Sequence, residues 1–181
     1  IGNLFNVNKK VFVFTGGSGL IGKKVIEFLL QNEAIVISVD LSESSFKHPN
    51  FFEIQCDITN KELLNDSIKK NVLKYLNGKK VDVLVNMASL VVQLGDKVDK
   101  SIYPSFEDQS QDEWMSFYKV DICGTLNMIQ CILPIFNPED ASIINVSSTY
   151  GLVSPKPSIY DCFKTETNNI EKPIGYSASK S

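Results

Sequence analysis

The sequence predicts an α/β protein built on a doubly wound parallel sheet with helices on both faces. Two observations predict it. Short apolar runs alternate along the chain with longer segments of helical periodicity. The runs are continuously apolar, which is typical of parallel strands buried on both faces. The chain has 181 residues and is 43% hydrophobic, enough for one sizeable core, so we interpret residues 1–181 as a single domain.

The first half of the chain contains four of the predicted strands. They lie at residues 10–14, 34–39, 51–55 and 81–85, with helices at 20–30 and 61–76. The first helix follows from the helical spacing of its apolar residues, and the second is closed by Asn77-Gly78. Strand, helix and strand therefore follow one another as βαβ units.

The second half continues the alternation with a long helix at 111–135, a strand at 141–146 and a helix that starts near Gly175. Residues 94–109 are polar and turn-rich, which predicts a loop. Residues 151–173 carry three prolines and exceed the usual length of a connection in a compact domain. We therefore predict an irregular segment there that contacts the substrate.

Composition and charge exclude several classes of partner. The formal net charge of −3 gives no electrostatic footprint for nucleic acid, and no run of about 18 apolar residues predicts a membrane span. All 18 basic residues are lysines, so anions must be bound by backbone N–H groups or by lysine. The four cysteines lack metal-ligand spacing and His48 is the only histidine. We predict reduced thiols, no metal site and a location in the cytoplasm.

The first strand leads into a glycine-rich turn. Gly16, Gly19 and Gly22 allow the backbone to bend tightly and to approach a pyrophosphate at the positive N-terminus of the next helix. Asp40 ends the following strand, where a carboxylate accepts hydrogen bonds from an adenosine ribose and repels a 2′-phosphate. We predict a nucleotide site that favours NAD over NADP. The turn itself contains Thr15, Gly16, Gly17, Ser18, Gly19, Leu20, Ile21 and Gly22.

Two further segments carry candidate chemistry. Tyr176 and Lys180 are four residues apart in a predicted helix, which places a phenol and an ammonium group on one face. The ammonium group favours the phenolate form, which can exchange a proton with a substrate hydroxyl. Ser148 follows the fifth strand, at the sheet edge where α/β folds bind ligands. Its hydroxyl is a candidate for holding a substrate oxygen.

Together with several shorter motifs, and in the order in which they occur along the chain, these segments resemble the short-chain dehydrogenase/reductase superfamily, whose fold is Rossmann-like. The resemblance covers nearly the whole chain. The matching segments are Thr15 to Gly22, Asp40, Cys56-Asp57-Ile58-Thr59, Asn86-Met87-Ala88-Ser89, Trp114 to Gly124, Asn145-Val146-Ser147-Ser148 and Tyr176 to Lys180.

The resemblance implies a role for each candidate residue. Tyr176 is the general acid and base, Lys180 binds the nicotinamide ribose and tunes Tyr176, and Ser148 orients the reacting carbonyl or hydroxyl. Asp57 is implied to hold the adenine, and Asn86 and Ala88 to line the cofactor cleft. Their neighbours Ile58 and Met87 are also implied to bind the cofactor.

Four features depart from the superfamily's main oxidoreductase pattern. The spacing T-G-x-x-G-x-x-G is that of the sugar-nucleotide epimerase branch. Ser89 stands where glycine is usual, and Asp121 stands where an asparagine usually completes a proton relay. We therefore include Asp121 among the candidate catalytic residues. Ser148 and Tyr176 are 28 positions apart, beyond the usual spacing.

The segment around Tyr150 to Pro155 and Ile159-Tyr160 is similar to oxidoreductases of bacterial surface-sugar and flagellin-modification pathways, including the legionaminic-acid type. That similarity implies a sugar or sugar phosphate as the small-molecule substrate. The superfamily's fold normally continues beyond the position of Ser181, so we expect an exposed sheet edge here. The superfamily resemblance also implies a homodimer or homotetramer. Leu133, Phe136 and the apolar face of the helix from Gln111 are candidate subunit contacts, with burial in the core as the favoured alternative.

Three functional hypotheses follow. The preferred one is an NAD-dependent oxidoreductase that transfers hydride between nicotinamide and a carbinol or carbonyl carbon, with a sugar derivative as the substrate that the resemblance implies. The second is a sugar-nucleotide epimerase or dehydratase with transiently reduced NAD, favoured by the glycine spacing and disfavoured by the absence of arginine. The third is a dinucleotide-binding module without turnover.

Overall fold

A computed structural model describes residues 6–90, 105–163 and 171–181. The chain divides into two compact units. The first, the sheet unit, comprises Ile1–Ala88 and Gly124–Val146. The second, the helical unit, comprises Ser89–Cys123 and Ser147–Ser181.

The sheet unit contains a five-stranded sheet in the order β3-β2-β1-β4-β5, in which every pairing is parallel. This confirms the predicted α/β fold. Chain order reverses direction beside β1, since β2 and β3 lie on one side of it and β4 and β5 on the other. The strands are β1 (Val11–Thr15), β2 (Ile35–Asp40), β3 (Phe51–Gln55), β4 (Val83–Asn86) and β5 (Ser142–Asn145).

The core of the sheet unit lies around the central strands. All five residues of β1 are buried, as are four of the six residues of β2. Phe14 and Val36 pack in one cluster with Ile26 of the first helix, and all three are 0% exposed. Burial of large apolar side chains contributes about 1.5–3 kcal/mol each, so this cluster holds the glycine-rich turn at the end of β1 in place.

The first helices confirm the predicted segments. Helix α1 spans Leu20–Gln31. The predicted helix at 61–76 is helical throughout but mixed: α2 (Lys61–Ser67) and α3 (Leu73–Leu76) are joined by a π-helical turn at Ile68–Val72. It ends at Asn77, whose φ is 46°, followed by Gly78 at φ 82°, both left-handed as the sequence predicts.

The long predicted helix at 111–135 also changes type along its length. Its first part is α4 (Gln111–Phe117), started by a capping box between Ser110 and Glu113. A π-helical turn at Tyr118–Gly124 follows, then α5 (Thr125–Ile132) and a 3-10 turn at Leu133–Ile135. Sequence periodicity does not distinguish these helix types here, because the π-helical and 3-10 segments have only 7 and 3 residues.

The fifth strand is an edge strand in the described residues. It pairs with β4, and its Ile143 and Ile144 are 41% and 48% exposed. The exposed apolar edge that the sequence predicts is thus present. Elsewhere in the described ranges, no helix is both long and apolar enough to cross a membrane.

The helical unit contains α4 and α6, the latter at Ile174–Ser179. The two helices pack closely because Gly175 lies against the backbone of Trp114 and the ring of Phe117, where a Cβ would come within 3.0 Å of both. The segment predicted as irregular at 151–173 contains a 3-10 turn at Pro157–Phe163, and the predicted loop at 94–109 contains one at Phe106–Asp108. Residues 94–104 and 164–170 of these two predicted segments lie outside the described residues.

Candidate functional site

The glycine-rich turn packs against the segment that follows β4. Gly16 has φ 75°, and a Cβ there would lie 2.8 Å from the backbone nitrogen of Ala88. A Cβ on Gly22 would collide with the Gly16 carbonyl oxygen. The Gly19 N–H donates to that carbonyl at 3.2 Å and closes the turn. Only glycine therefore allows this backbone path at positions 16 and 22.

The turn leads into an N-terminus of α1 that suits an anion. Gly19 is the N-cap residue, so no side chain caps the helix, and its first turn carries no acidic residue. Leu20 and Ile21 at the start of the helix are 72% and 65% exposed. Backbone N–H groups at a helix N-terminus carry partial positive charge and bind phosphate.

Asp40 lies at the end of β2 and is fixed to the turn. Its Oδ2 accepts a hydrogen bond from the Ser18 N–H, and its Oδ1 accepts one from the Ser42 N–H, both at 3.0 Å. The Ser18 hydroxyl also donates to the Ser42 carbonyl at 2.8 Å. The carboxylate is half-buried and retains acceptor capacity, since its two oxygens offer about four lone-pair directions.

The end of β4 is held to β1 and β5 by side-chain hydrogen bonds. The Thr15 hydroxyl oxygen accepts from the N–H groups of both Met87 and Ala88 at 3.1 Å. Asn86 is buried, and its Nδ2 donates to Asn145 Oδ1 at 2.8 Å. Its Oδ1 is buried with no hydrogen-bond partner among the described residues. These bonds fix the predicted cleft residues at the carboxyl edge of the sheet.

The segment after β3 holds the last predicted cofactor residues. Asp57 is exposed, and its Oδ1 accepts from the Thr59 N–H at 2.8 Å. Ile58 is buried and packs on Gly124, where a Cβ would lie 2.7 Å from the Ile58 side chain. Asn127 donates to the Ile58 carbonyl at 3.0 Å. Within the sheet unit, the predicted cofactor residues therefore lie from the end of β1 to the start of α1, at the last residue of β2 and of β4, or in the segments that follow β3 and β4.

The helical unit carries the predicted catalytic residues, beginning with Tyr176 on α6. The Tyr176 side chain is half-buried, and its ring meets the Phe117 ring edge-on, with centroids 6.2 Å apart. The Lys180 N–H donates to the Tyr176 carbonyl at 3.1 Å, so the two residues are one helical turn apart as predicted. Lys180 itself is the C-cap of α6, and it is buried.

Asp121 lies in the π-helical turn and is the centre of a buried polar cluster. Its Oδ2 accepts a hydrogen bond from the Ser179 hydroxyl at 2.6 Å and one from the Ser89 hydroxyl at 3.1 Å. The same oxygen is 3.8 Å from the Lys180 ammonium group. The structure thus brings Asp121 and Lys180 together, although 59 positions separate them.

The two serines after β5 have local partners. The Ser148 hydroxyl oxygen accepts from the Tyr150 N–H at 3.2 Å and caps the 3-10 turn at Thr149–Gly151. An acceptor bond leaves the hydroxyl hydrogen available to a substrate oxygen. The Ser147 hydroxyl donates to the Lys180 carbonyl, which fixes the end of α6.

Sequence reasoning missed two residues of this cluster. Ser179 follows Tyr176 by three positions and directly bonds Asp121. Lys172 precedes Tyr176 by four positions, and its ammonium nitrogen is 4.0 Å from the Tyr176 ring centroid. Ser179 lies in the same helix one turn from Tyr176, and that spacing is the signal that would have found it. Nowhere in the described ranges do three or more metal-ligating side chains converge.

Comparison with known proteins assigns the chain to a family. The family model for short chain dehydrogenases matches residues 10–181, and the chain therefore belongs to the short-chain dehydrogenase family. This confirms the superfamily resemblance that the sequence shows.

Individual relatives share less than a third of their aligned residues with this chain. An uncharacterised oxidoreductase of Staphylococcus saprophyticus is 29% identical over 86% of this chain and 61% of its own length. The post-translational flagellin modification protein A of Campylobacter coli is 28% identical over 96% of this chain and 66% of its own length. The chain thus spans under two thirds of these relatives.

A solved structure shows the same fold. A short chain dehydrogenase from Leptospira borgpetersenii, solved with bound NAD+, is 27% identical and matches with a TM-score of 0.77. The match covers 97% of this chain and 61% of that one.

The Campylobacter relative supports the resemblance to flagellin-modification oxidoreductases noted in the sequence.

Proposed function

We propose that this chain carries the NAD-binding and catalytic residues of an oxidoreductase that interconverts a carbinol and a carbonyl carbon, with residues 1–181 forming one domain. The family match at 10–181 supports the domain, because it spans residues of both units. The observation that carries the catalytic proposal is the turn of α6 that bears Tyr176 and Lys180, with the Lys180 ammonium 3.8 Å from the buried Asp121.

The glycine-rich turn fits a dinucleotide. Its backbone follows a tight path that only glycine allows at positions 16 and 22, and the N-terminus of α1 has no side-chain cap. Bound NAD supplies the group that accepts or donates hydride. The residues proposed to hold it are Thr15, Gly16, Gly17, Ser18, Gly19, Leu20, Ile21, Gly22, Asp40, Asp57, Ile58, Asn86, Met87, Ala88, Tyr176 and Lys180.

Asp40 is proposed to select NAD over NADP. The Ser18 and Ser42 N–H groups hold its carboxylate at the end of β2, where a ribose hydroxyl can donate to it. A 2′-phosphate at the same place would bring two anions together, and no arginine exists in the chain to bind it.

Tyr176 is proposed to move the proton. Its hydroxyl donates a proton to the carbonyl oxygen during reduction and accepts one from the carbinol during oxidation. The positive charge of Lys180 favours the phenolate form, and Ser148 donates a hydrogen bond to the reacting oxygen. Edge-on packing against Phe117 limits the positions that the Tyr176 ring can adopt.

Asp121 is proposed to complete the proton path in place of the usual asparagine. Its carboxylate accepts a hydrogen bond from the Ser179 hydroxyl and lies beside Lys180. The carboxylate can therefore hold the Lys180 ammonium group in place and accept a proton that this ammonium group passes on. Its Oδ1 is buried with no hydrogen-bond partner among the described residues. That oxygen is where a relay water would donate.

A sugar or sugar phosphate is proposed as the substrate. Support comes from the Campylobacter relative, whose name places it in flagellin modification, and from the segment after Ser148 that resembles such enzymes. Leu152 and Val153 in this segment are 89% and 62% exposed, which suits a surface that covers a substrate.

The chain is further proposed to act in the cytoplasm as a homodimer or homotetramer. Met115, Tyr118 and Ile122 recur at helical spacing and are 53%, 36% and 45% exposed, which suits a helix that contacts a second copy. Leu133, which the sequence analysis named as a contact, is 62% exposed.

A spectrophotometric screen of the intact protein with NAD and candidate sugars tests this proposal. We expect NADH formation with at least one sugar, and a loss of about 10²-fold or more in the Tyr176→Phe variant. Product formed on retained NAD without net NADH would instead support the epimerase or dehydratase hypothesis. Binding of NAD with no turnover of any sugar would support a non-catalytic module.

A further inference from the structure

Lys172 places a second ammonium group beside Tyr176. Its nitrogen lies 4.0 Å from the centroid of the Tyr176 ring, within the distance of a cation–π contact. The residue precedes α6, whose first residue is Ile174. The Ile174 N–H donates to Gln109 Oε1 at 3.0 Å, which fixes the backbone here.

Lys172 is partly shielded from solvent and interacts electrostatically with a carboxylate. Its side chain is half-buried, and burial lowers the pKa of Lys172 while the negative charge of Asp121 raises it. Among the described residues, Asp121 thus acts on two ammonium groups: that of Lys180 at 3.8 Å, and that of Lys172, which lies over the Tyr176 ring.

This arrangement has a simple charge balance. The usual asparagine at position 121 would place no charge beside the Lys180 ammonium group. Asp121 adds a negative charge, which disfavours the phenolate form of Tyr176, and Lys172 adds a positive charge, which favours it. The two charges therefore act in opposite directions on the phenol.

We propose that Lys172 is a positioning residue for proton transfer at Tyr176: its ammonium group offsets the carboxylate of Asp121 and keeps the phenolate form of Tyr176 accessible. This inference deepens the proposed function and rests on it for the role of Tyr176. It assigns to Lys172 a role that depends on the aspartate at position 121.

The ultraviolet absorbance of tyrosinate, measured at one fixed alkaline pH on the intact protein without cofactor or substrate, tests the inference. Subtracting the signal of the same protein with Tyr176→Phe isolates Tyr176. We expect Lys172→Met to lower its phenolate-to-phenol ratio about tenfold, and Lys172→Arg to keep it within about twofold of the wild-type value. The exposed lysine in Lys156→Met serves as the control and should change nothing.

The Asp121→Asn/Lys172→Met double variant decides between charge and packing. The inference predicts that its ratio returns to within about threefold of the wild-type value. An unchanged ratio in Lys172→Met, or no recovery in the double variant, would overturn it. If Lys172→Met does not fold, the double variant must fold and show that recovery; loss of folding in both would mean that Lys172 acts by packing and would also overturn it.

The proposed function is tested separately on the same preparations by NAD titration. Because the absorbance measurement contains neither cofactor nor substrate, absent NAD binding would contradict the proposed function without changing the phenolate ratio. A changed phenolate ratio alongside normal NAD binding supports both.

Discussion

The hydroxyl of Ser89 donates a hydrogen bond to Asp121 Oδ2 at 3.1 Å. These are two positions at which the chain departs from the pattern of the oxidoreductases it resembles, which carry glycine and asparagine there. A glycine would have no hydroxyl to donate. The contact therefore joins the two departures into one unit, completed by the Ser179 hydroxyl and the Lys180 ammonium group.

Asp121→Ala should destabilise the protein strongly. It removes the acceptor of two hydroxyl groups and the carboxylate beside a buried ammonium group, which we expect to cost about 3 kcal/mol in the free energy of unfolding. Asp121→Asn keeps an oxygen acceptor and should cost about 1 kcal/mol. Chemical denaturation measures both values.

Asp66→Ala is the matched control, because Asp66 is exposed on α2 and should change the free energy of unfolding by about 0.5 kcal/mol or less. Equal losses for Asp121→Ala and Asp66→Ala would show that the polar cluster contributes nothing to stability.

Gly16→Ala should cost more than Gly78→Ala, although both glycines have left-handed backbone, at φ 75° and 82°. A Cβ at Gly78 meets nothing within 4 Å, so this change costs about 1 kcal/mol of backbone strain. A Cβ at Gly16 also meets the Ala88 backbone at 2.8 Å, which should add about 2 kcal/mol and weaken NAD binding.

Thermal or chemical denaturation of the two variants, together with calorimetric titration of NAD, checks the comparison. Similar losses of stability and unchanged NAD binding in both variants would mean that the close approach of the turn to Ala88 has no role.

Cys123 and Cys162 are exposed, and Cys56 and Cys131 are buried, so the four thiols should react at different rates. Burial raises the pKa of both Cys56 and Cys131, which lowers their thiolate fraction at any pH near 8. Alkylation followed by mass spectrometry should label the exposed pair first. Labelling of all four at one rate in the folded protein would contradict the described burial.

The same pKa shifts set a pH dependence of stability. A thiol whose pKa is raised on folding is held protonated by the folded state, so its contribution is complete below the unfolded value of 9.0 and is lost as the pH rises through the higher folded value. We expect the Cys56→Ser/Cys131→Ser variant to lose less stability than the wild type above pH 9.0. Identical alkaline curves would contradict this.

Much of the fold follows from local pattern. Continuous apolar runs predict β1 and β2, because both faces of a central parallel strand are buried. The Asn77-Gly78 pair predicts the end of α3, because both residues readily adopt the left-handed backbone that they have in the structure. The π-helical turns were not predictable, because segments of 5 and 7 residues are too short to change the apolar spacing of the whole helix.

The candidate site was only partly predictable for a different reason. Glycine spacing and the Tyr176–Lys180 pair are local signals, and in the structure the glycines form a tight turn and the pair is one helical turn apart. The contact between Ser89 and Asp121 joins residues 32 positions apart, and no local pattern reports such a pair. Lys172 lies in a segment predicted as irregular, where spacing carries no information about side-chain contacts.

Calorimetric titration of NAD and NADP into the intact protein tests the central claim most directly. Asp40→Ala is the test variant, and Glu53→Ala is the control, because Glu53 also accepts a backbone N–H, that of Ser44 at 2.7 Å, outside the proposed site. We predict that the wild type and Glu53→Ala bind NAD at least about tenfold more tightly than NADP, and that Asp40→Ala loses this preference. Absence of binding by either dinucleotide, or an unchanged preference in Asp40→Ala, would contradict the account.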